Sequence, residues 1–503
     1  MLAGCSPQPT EDTRQYAHGV SIVENSVLWS EKSDEQRKDG WTHDIYKKQI
    51  GHEVLWEVRT GEEPIYSTPI FAVFSSGKRV VIYQSWDWYI YVREVETGKL
   101  VWRYLFGAPN YGRPQAADVN GDGKVEVFGA SHDGHVYCLD EQGHRLWFHS
   151  NLYYREGSGH VTSASDWGIT DATKDWVANS FLRMDGNHAD LVITSGKGEG
   201  QRRKISSAEK DAIWIEEAFA TVPDATSTYK IRPFHESDVY YQHAGQLVEE
   251  PDGWYLYTTC FDNQCAKLKA DTGELMWKFS SLEQNEPFPT VVDIDGDGNL
   301  ECIFNSIDEH VYCLDAQTGA LKWKNELGFG IDCFGSHADM DNDGVFEYII
   351  NGRGGRTLYL DGATGEAKYK STDWSVWATS ETNSRATVFN YEPGNKAVVF
   401  GGLAGFVYCL DGQANTLWRT YLAANMRAST TILDIDRDGN DEILVADMMG
   451  TLTILNKYGN EIGQIHVKGG IEGTPLAGDL DGDGKIEVFL TSLDGYAKMV
   501  RFT

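Results

Sequence analysis

From about residue 50 onward, apolar and polar residues alternate in short runs separated by stretches rich in Gly, Asp and Asn. Period two over a handful of residues is strand periodicity, and the intervening glycines and carboxamides are turn chemistry. One unit shows the order: "PQAADV", an acidic turn, "VEVFGAS", the turn "HDG", "HVYCLD", the turn "EQG" and "RLWFH". Four strands returning at a period of about 45 residues cannot bury their faces alone and must stack radially, which predicts an all-β chain folded as a single β-propeller.

Units without an acidic turn begin near Phe71, Val177, Gln246 and Arg385. The count comes to eight four-stranded blades, or seven if the irregular stretch 177–251 is no blade. The last unit, ending at Thr503, lacks a Trp-bearing fourth strand, and "EVLWEVRTG" (53–61) supplies one. The ring is therefore expected to close on an N-terminal strand, leaving no open edge. Trp56, Trp102, Trp147, Trp277, Trp323 and Trp418 fall on fourth strands and read as inter-blade packing. Residues 1–44 are a polar tether and irregular segment, and 45–503 are the propeller.

Five turns repeat one pattern: "DVNGDGKVE", "DIDGDGNLE", "DMDNDGVFE", "DIDRDGNDE" and "DLDGDGKIE". Oxygens at the first, third, fifth and ninth positions suit a hard cation. The expected Ca²⁺ ligands are Asp118, Asn120, Asp122 and Glu126; Asp293, Asp295, Asp297 and Glu301; Asp339, Asp341, Asp343 and Glu347; Asp434, Asp436, Asp438 and Glu442; and Asp479, Asp481, Asp483 and Glu487. Repetition around the ring marks them as structural.

"VYCLD", a glycine turn and "LxW" together resemble the quinoprotein-like propeller repeat, and the Asp-rich turns resemble the calcium-binding repeats of integrin-type propellers. Quinone-cofactor chemistry is disfavoured, because such enzymes carry a vicinal disulfide and no Cys-Cys pair occurs here. Cys138, Cys302, Cys313 and Cys409 sit at strand positions and read as small core residues. Cys260 and Cys265 break the repeat; with His235 and His243 just before them they suit a tetrahedral Zn²⁺ site, or else a disulfide.

Charge narrows the partners. The balance of 44 Lys plus Arg against 75 Asp plus Glu, net −31, argues against duplex nucleic acid. No apolar run is long enough to span a bilayer. Leu2-Ala3-Gly4-Cys5 resembles a bacterial lipobox without the upstream part of a signal peptide, so the expected membrane link is a lipid anchor at Cys5. The expected setting is an outer-membrane lipoprotein, or a secreted or periplasmic protein, acting as a monomer.

Antiparallel topology puts the acidic turns on one face and the second-to-third hairpins and blade crossovers on the other. On that second face the hairpin tips include Trp86, His132, Lys197 and Arg353, where related units carry Ile307, Leu403 and Leu493. Crossovers add Tyr111 and Arg113; His149, Tyr153, Tyr154, Arg155 and His160; Trp374 and Trp377; and Asn425 and Arg427. Aromatic faces for sugar rings and guanidinium forks for oxyanions suit an anionic carbohydrate.

This face resembles that of the propeller polysaccharide lyases, which include ulvan, rhamnogalacturonan and rhamnose–glucuronate lyases. The resemblance implies β-elimination from a uronate-containing polysaccharide: a cation neutralises the carboxylate, a base takes the C5 proton, and an acid protonates the leaving oxygen. On this reading His132 is base or acid, Tyr153 or Tyr154 its partner, Arg353 or Arg155 the carboxylate clamp, and His149 stands nearby. Trp86, Tyr111, Arg113, His160, Lys197, Trp374, Trp377 and Arg427 then bind substrate. Two alternatives stay open: a non-catalytic calcium-loaded lipoprotein that binds glycan or scaffolds proteins, and a hydrolase using Asp166 and Asp373.

Overall fold

The computed structural model describes residues 50–503 apart from 62, 110–111, 133, 151–157, 175, 177–180, 182–188, 233–244, 261–262, 286–287, 330, 332, 353–355 and 372–383. The described secondary structure is all β, and eight four-stranded antiparallel sheets form the blades of a propeller. No helix is long and apolar enough to cross a membrane among the described residues.

Blades I to VII each use four consecutive strands, and their innermost strands are Ile70–Val73, Gln115–Ala117, Gln246–Glu250, Thr290–Val292, Ser336–Ala338, Thr387–Glu392 and Thr431–Leu433. Blade VIII is built from Leu476–Gly478, Glu487–Thr491 and Tyr496–Phe502, completed on its outer edge by His52–Arg59. That strand pairs with the last along its whole length, from His52 opposite Phe502 to Arg59 opposite Tyr496. The expected closure is present.

Packing explains why the sheets stack in a ring. Each of eight buried apolar clusters draws from two adjacent blades, such as Val80, Ile82 and Phe106 of blade I with Val127 and Leu139 of blade II. The series closes with Trp56, Phe489 and Met499 of blade VIII against Val81 and Tyr83 of blade I. No blade owns its core, so burial is gained only between neighbours.

The tryptophans fasten this stack from the rim. Indole Nε1 of Trp56 donates to Val95 O at 2.6 Å, Trp102 to Glu141 O at 2.7 Å, Trp277 to Ala316 O at 2.9 Å, Trp323 to Gly362 O at 2.9 Å and Trp418 to Lys457 O at 2.9 Å, each time into the next blade. Each ring also lies over a left-handed turn glycine of that blade. At Gly143 (φ +82°) a Cβ would come within 2.7 Å of Trp102 Cδ2. Where blade V replaces Trp with the smaller Tyr369, the facing turn residue of blade VI is Ala414, still left-handed at φ 63°. Blade VII has Gly463 at this place, and there the backbone of Ile50 comes in instead of a turn.

Trp147 corrects the reading of the middle of the chain. Its indole donates to Ala270 O at 3.2 Å, so blade III follows blade II directly in the ring although 123 residues separate the partners. Cluster residues Phe128 and Val136 of blade II likewise pack on Leu256 and Leu268 of blade III. Val177 therefore starts no blade. The intervening chain forms a seven-stranded sheet running from Ser158–His160 to Thr228–Arg232, with its own core of Leu191, Ile193, Ile205, Ile213 and Tyr229 among others. This insertion mimicked a degenerate blade because alternation and glycine turns look alike in both.

Candidate functional site

The turn face comes first because its chemistry repeats. In all five acidic turns the ninth-position Glu accepts from the backbone N–H of the second residue: Val119, Ile294, Met340, Ile435 and Leu480 donate at 2.7 to 3.0 Å. The first Asp accepts from the N–H of the sixth residue, as Gly123 to Asp118 Oδ2 at 2.8 Å. These bonds curl the loop and gather its oxygens.

The loops differ in what meets that charge. In blade IV, Lys322 Nζ reaches Asp295 at 2.9 Å and Glu301 at 2.8 Å; in blade V, Lys368 reaches Asp341 at 2.7 Å, Asp343 at 2.6 Å and Glu347 at 2.9 Å. In blade VIII, Arg501 pairs with Asp481 and with Glu487 at 2.8 Å. In these three loops a neighbouring strand supplies the cation, whose own pKa is raised by the hydrogen bonds it gives, while in blade II Lys124 of the turn itself lies 3.5 Å from Asp122. Leu146 and Ile462 stand at the Lys322 position in blades II and VII. In blade VII, oxygens of Asp434, Asp436 and Glu442 lie within 4.8 Å of one another. Burial, then the charges of Asp436, Asp438 and Asp434, push the Glu442 carboxyl up to about 7.

Cys260 and Cys265 do not share a site. Cys260 pairs with Gln264 across the hairpin and Cys265 with Thr259, so the two side chains face opposite sides of blade III. Neither is in a disulfide and both are buried, and Cys265 Sγ lies 3.7 Å from Cys302 Sγ in the core between blades III and IV. A disulfide between them is absent, and one tetrahedral ion could not reach both. His235 and His243 lie outside the described residues.

On the crossover face the hairpin tips are aligned by one backbone bond. Trp86 N–H donates to Pro64 O, His132 to Pro109 O, Ile307 to Gln284 O, Met448 to Asn425 O and Leu493 to Gly470 O, at 2.8 to 3.0 Å. His132 thus occupies a position that blade I fills with Trp86 and blades IV, VII and VIII with an aliphatic or thioether chain. It is buried, and its ring meets that of Trp86 edge-on at 6.1 Å between centroids. Trp86 meets Tyr66 at 5.3 Å, and its buried indole Nε1–H has no hydrogen-bond partner among the described residues. Burial and the neighbouring charge of Glu472 raise the Tyr66 hydroxyl pKa. Arg427 lies 3.5 Å from Glu472 Oε1. Arg427, Glu472, Tyr66, Trp86 and His132 form an arc over consecutive crossovers and tips from blade VI to blade II.

Other expected residues fall elsewhere. His149 Nδ1 lies 3.0 Å from Gly273 O, at the place where Asn325 and Thr420 tie other outer strands to the next blade. It is an inter-blade tie. His160 is on the first strand of the inserted sheet, and Lys197 sits in a turn of the same sheet beside Asp224, so neither is a blade tip. Asp166 also belongs to that sheet's turns. Tyr111, Tyr153, Tyr154, Arg155, Arg353, Asp373, Trp374 and Trp377 lie outside the described residues.

Sequence reasoning missed a second ring of positions. Ahead of every innermost strand except that of blade III, where the position lies outside the described residues, the residue two places back is partly or fully exposed and its described neighbours are buried. These residues are Thr68, Arg113, Phe288, Phe334, Arg385, Ser429 and Thr474 for blades I, II, IV, V, VI, VII and VIII. Phe288 and Phe334 touch at 4.3 Å between ring centroids, Arg385 N–H donates to Ser429 Oγ at 3.0 Å, and Thr474 N–H to Thr68 Oγ1 at 3.2 Å. Three neighbouring pairs meet, and all seven residues lead into the innermost strands from the crossovers, so they rim the central channel on the crossover face. The signal was available only by aligning units on their first strands.

Fold and face together define an eight-bladed propeller whose crossover side departs from its repeat. A family model described as "Lambda-carrageenase beta-propeller domain" matches residues 97–154 and 397–468, which fits a propeller of a polysaccharide-active family. No curated protein matches the chain. Among solved structures, BamB from Moraxella catarrhalis is 13% identical with TM-score 0.53, covering 90% of this chain and 100% of its own. Saccharomyces cerevisiae Sqt1 is 11% identical with TM-score 0.54, covering 90% and 99%. The computationally designed Ika8 protein is 11% identical with TM-score 0.53, covering 89% and 99%. At such identities the likeness is one of fold alone.

Proposed function

We propose that the chain cleaves an anionic polysaccharide on its crossover face. The observation that carries this reading is the arc from Arg427 to His132, whose tip residues Trp86 and His132 stand where blades IV, VII and VIII carry Ile307, Met448 and Leu493. The family match at residues 97–154, which contains His132, supports it. In the finer reading the reaction is β-elimination from a uronate: His132 takes the C5 proton, Tyr153 or Tyr154 protonates the leaving oxygen, and an arginine offsets the carboxylate. Without that neutralisation the C5 proton is too weakly acidic for a side-chain base.

Hydrolysis is the second reading, favoured by the name of the matched family, since a carrageenase is a hydrolase. Glu472 is then the carboxylate already in the arc, in place of Asp166. Calcium is part of the proposal as a structural ion. It fits best at Asp434, Asp436, Asp438 and Glu442 of blade VII, where no lysine or arginine meets the carboxylates among the described residues, whereas in the blade II turn Lys124 lies 3.5 Å from Asp122. The Leu2-Ala3-Gly4-Cys5 stretch goes with a tethered or secreted protein, where such a polysaccharide would be met.

The test is product analysis on a panel of sulfated and uronate-containing polysaccharides. Elimination gives an unsaturated uronate with ultraviolet absorbance, and hydrolysis gives new reducing ends without it. Retention of a polysaccharide with neither product would sink the enzymatic reading and leave a glycan-binding module.

A further inference from the structure

We infer that the channel mouth is a binding site for a sugar ring bearing an oxyanion, with Arg113 and Arg385 as the anion clamp and the Phe288–Phe334 pair as the stacking surface. This rests on the polysaccharide reading for its ligand class, but it concerns a site other than the His132 arc.

Placement is the first ground. The clamp residues precede the innermost strands of blades II and VI, four blades apart, so they reach the channel from opposite sides of the ring. The phenylalanines precede those of blades IV and V, between them on one side. Both arginines are held from behind. Gly112, just ahead of Arg113, accepts from the buried amide of Gln84 at 2.5 Å. Ser384, ahead of Arg385, accepts from Asn351 Nδ2 at 3.3 Å and donates through its hydroxyl to Gly401 O at 2.8 Å. Arg385 Nε is further fixed on Ser336 Oγ at 2.9 Å.

Charge is the second ground. In a chain with net charge −31, neither guanidinium pairs with a carboxylate among the described residues, whereas Lys322, Lys368 and Arg501 all do. Burial and then the like charge of Arg385 lower the pKa of Arg113, and the Arg385 charge also bears on His337 in the wall of blade V. Two uncompensated cations held close enough to repel are strained until an anion joins them. Their N–H donors that have no partner among the described residues match the oxygens of a sulfate ester or a carboxylate, and the adjoining Phe pair offers an apolar face to the ring that carries it.

Calorimetric titration tests this, with His132→Ala as the background so that no ligand is consumed. The probes are a sulfated galactan oligosaccharide, an oligogalacturonate and a neutral galactan oligosaccharide. Arg113→Gln and Arg385→Gln should each weaken binding of a charged probe by about ten-fold or more and leave the neutral probe unchanged. Phe334→Ala should weaken charged and neutral probes alike. Whichever charged probe is lost in the arginine variants identifies the oxyanion as sulfate or carboxylate. Melting curves identify variants that merely unfold, and Arg113→Lys, which keeps the charge but not the fork, should fall between Gln and the parent. Charged-probe binding unchanged in both arginine variants, or no binding of either charged probe, overturns the inference. If the clamp variants lose binding but the parent never cleaves, the cleavage reading fails and the mouth site stands. If cleavage is robust and indifferent to both arginines, the reverse holds.

Discussion

The two faces of this propeller are built from the same strands and follow opposite rules. On the turn face one nine-residue pattern returns five times with the same Glu-to-backbone bond, and variation is confined to which cation answers it. On the crossover face the backbone bond at the hairpin tips is equally regular, yet the side chains there run Trp86, His132, Ile307, Met448 and Leu493. A feature that every blade needs is repeated in most blades. A feature that one ligand needs is placed once, on a frame that repetition has already made rigid.

The contrast can be broken from either side. The largest effect is expected from His132→Ala: turnover of the polysaccharide should fall by about 100-fold or more while the melting temperature holds. Rate assays beside calorimetry check both halves. A turn-face change should do the reverse. Trp102→Ala removes an indole wedged over Gly143 and should cost about 3 to 5 kcal/mol in denaturant unfolding, with activity per folded molecule kept.

A pH effect comes third. Burial, then the charge of Arg385, holds His337 at about 4, against 6.5 when unfolded. The unfolded chain binds the proton first, so this contribution is whole above pH 6.5 and is lost as pH falls toward 4. It amounts to at most about 3 kcal/mol. Comparing unfolding at pH 7 and pH 4.5 for wild type and His337→Gln should show a smaller acid loss in the variant. The smallest effect separates the acidic turns from one another. Chelation should lower the melting temperature by the equivalent of about 2 kcal/mol. Asp436→Ala should abolish that dependence, and Asp341→Ala, in a turn answered by Lys368, should leave it in place.

Much of this was legible in the sequence because repetition averages out the ambiguity of any single strand. The strand order within a blade, the closure by 53–61, the rim tryptophans and the acidic turns all came from residues recurring at fixed offsets. What failed was whatever occurs once. The sheet inserted after blade II has strand alternation and glycine turns of its own, and only its separate core, with Trp147 reaching past it to Ala270, removes it from the ring. His149 looked like a site residue because histidine is chemically versatile, but register puts it at a tie position. Arg385, Phe288 and Phe334 were passed over because "NSR", "PFP" and "CFG" have no letter common to all three, and only their common offset from the first strand unites them.

The central claim is that ligand meets the crossover face and not the turn face. Hydrogen–deuterium exchange of the His132→Ala protein, with and without a saturating sulfated galactan oligosaccharide or oligogalacturonate, addresses it directly. The account predicts slowed exchange in crossover segments 60–69, 106–114 and 467–475, and no change in turns 118–126, 293–301, 339–347, 434–442 and 479–487. Protection concentrated in those acidic turns, with the crossovers unchanged, would contradict it.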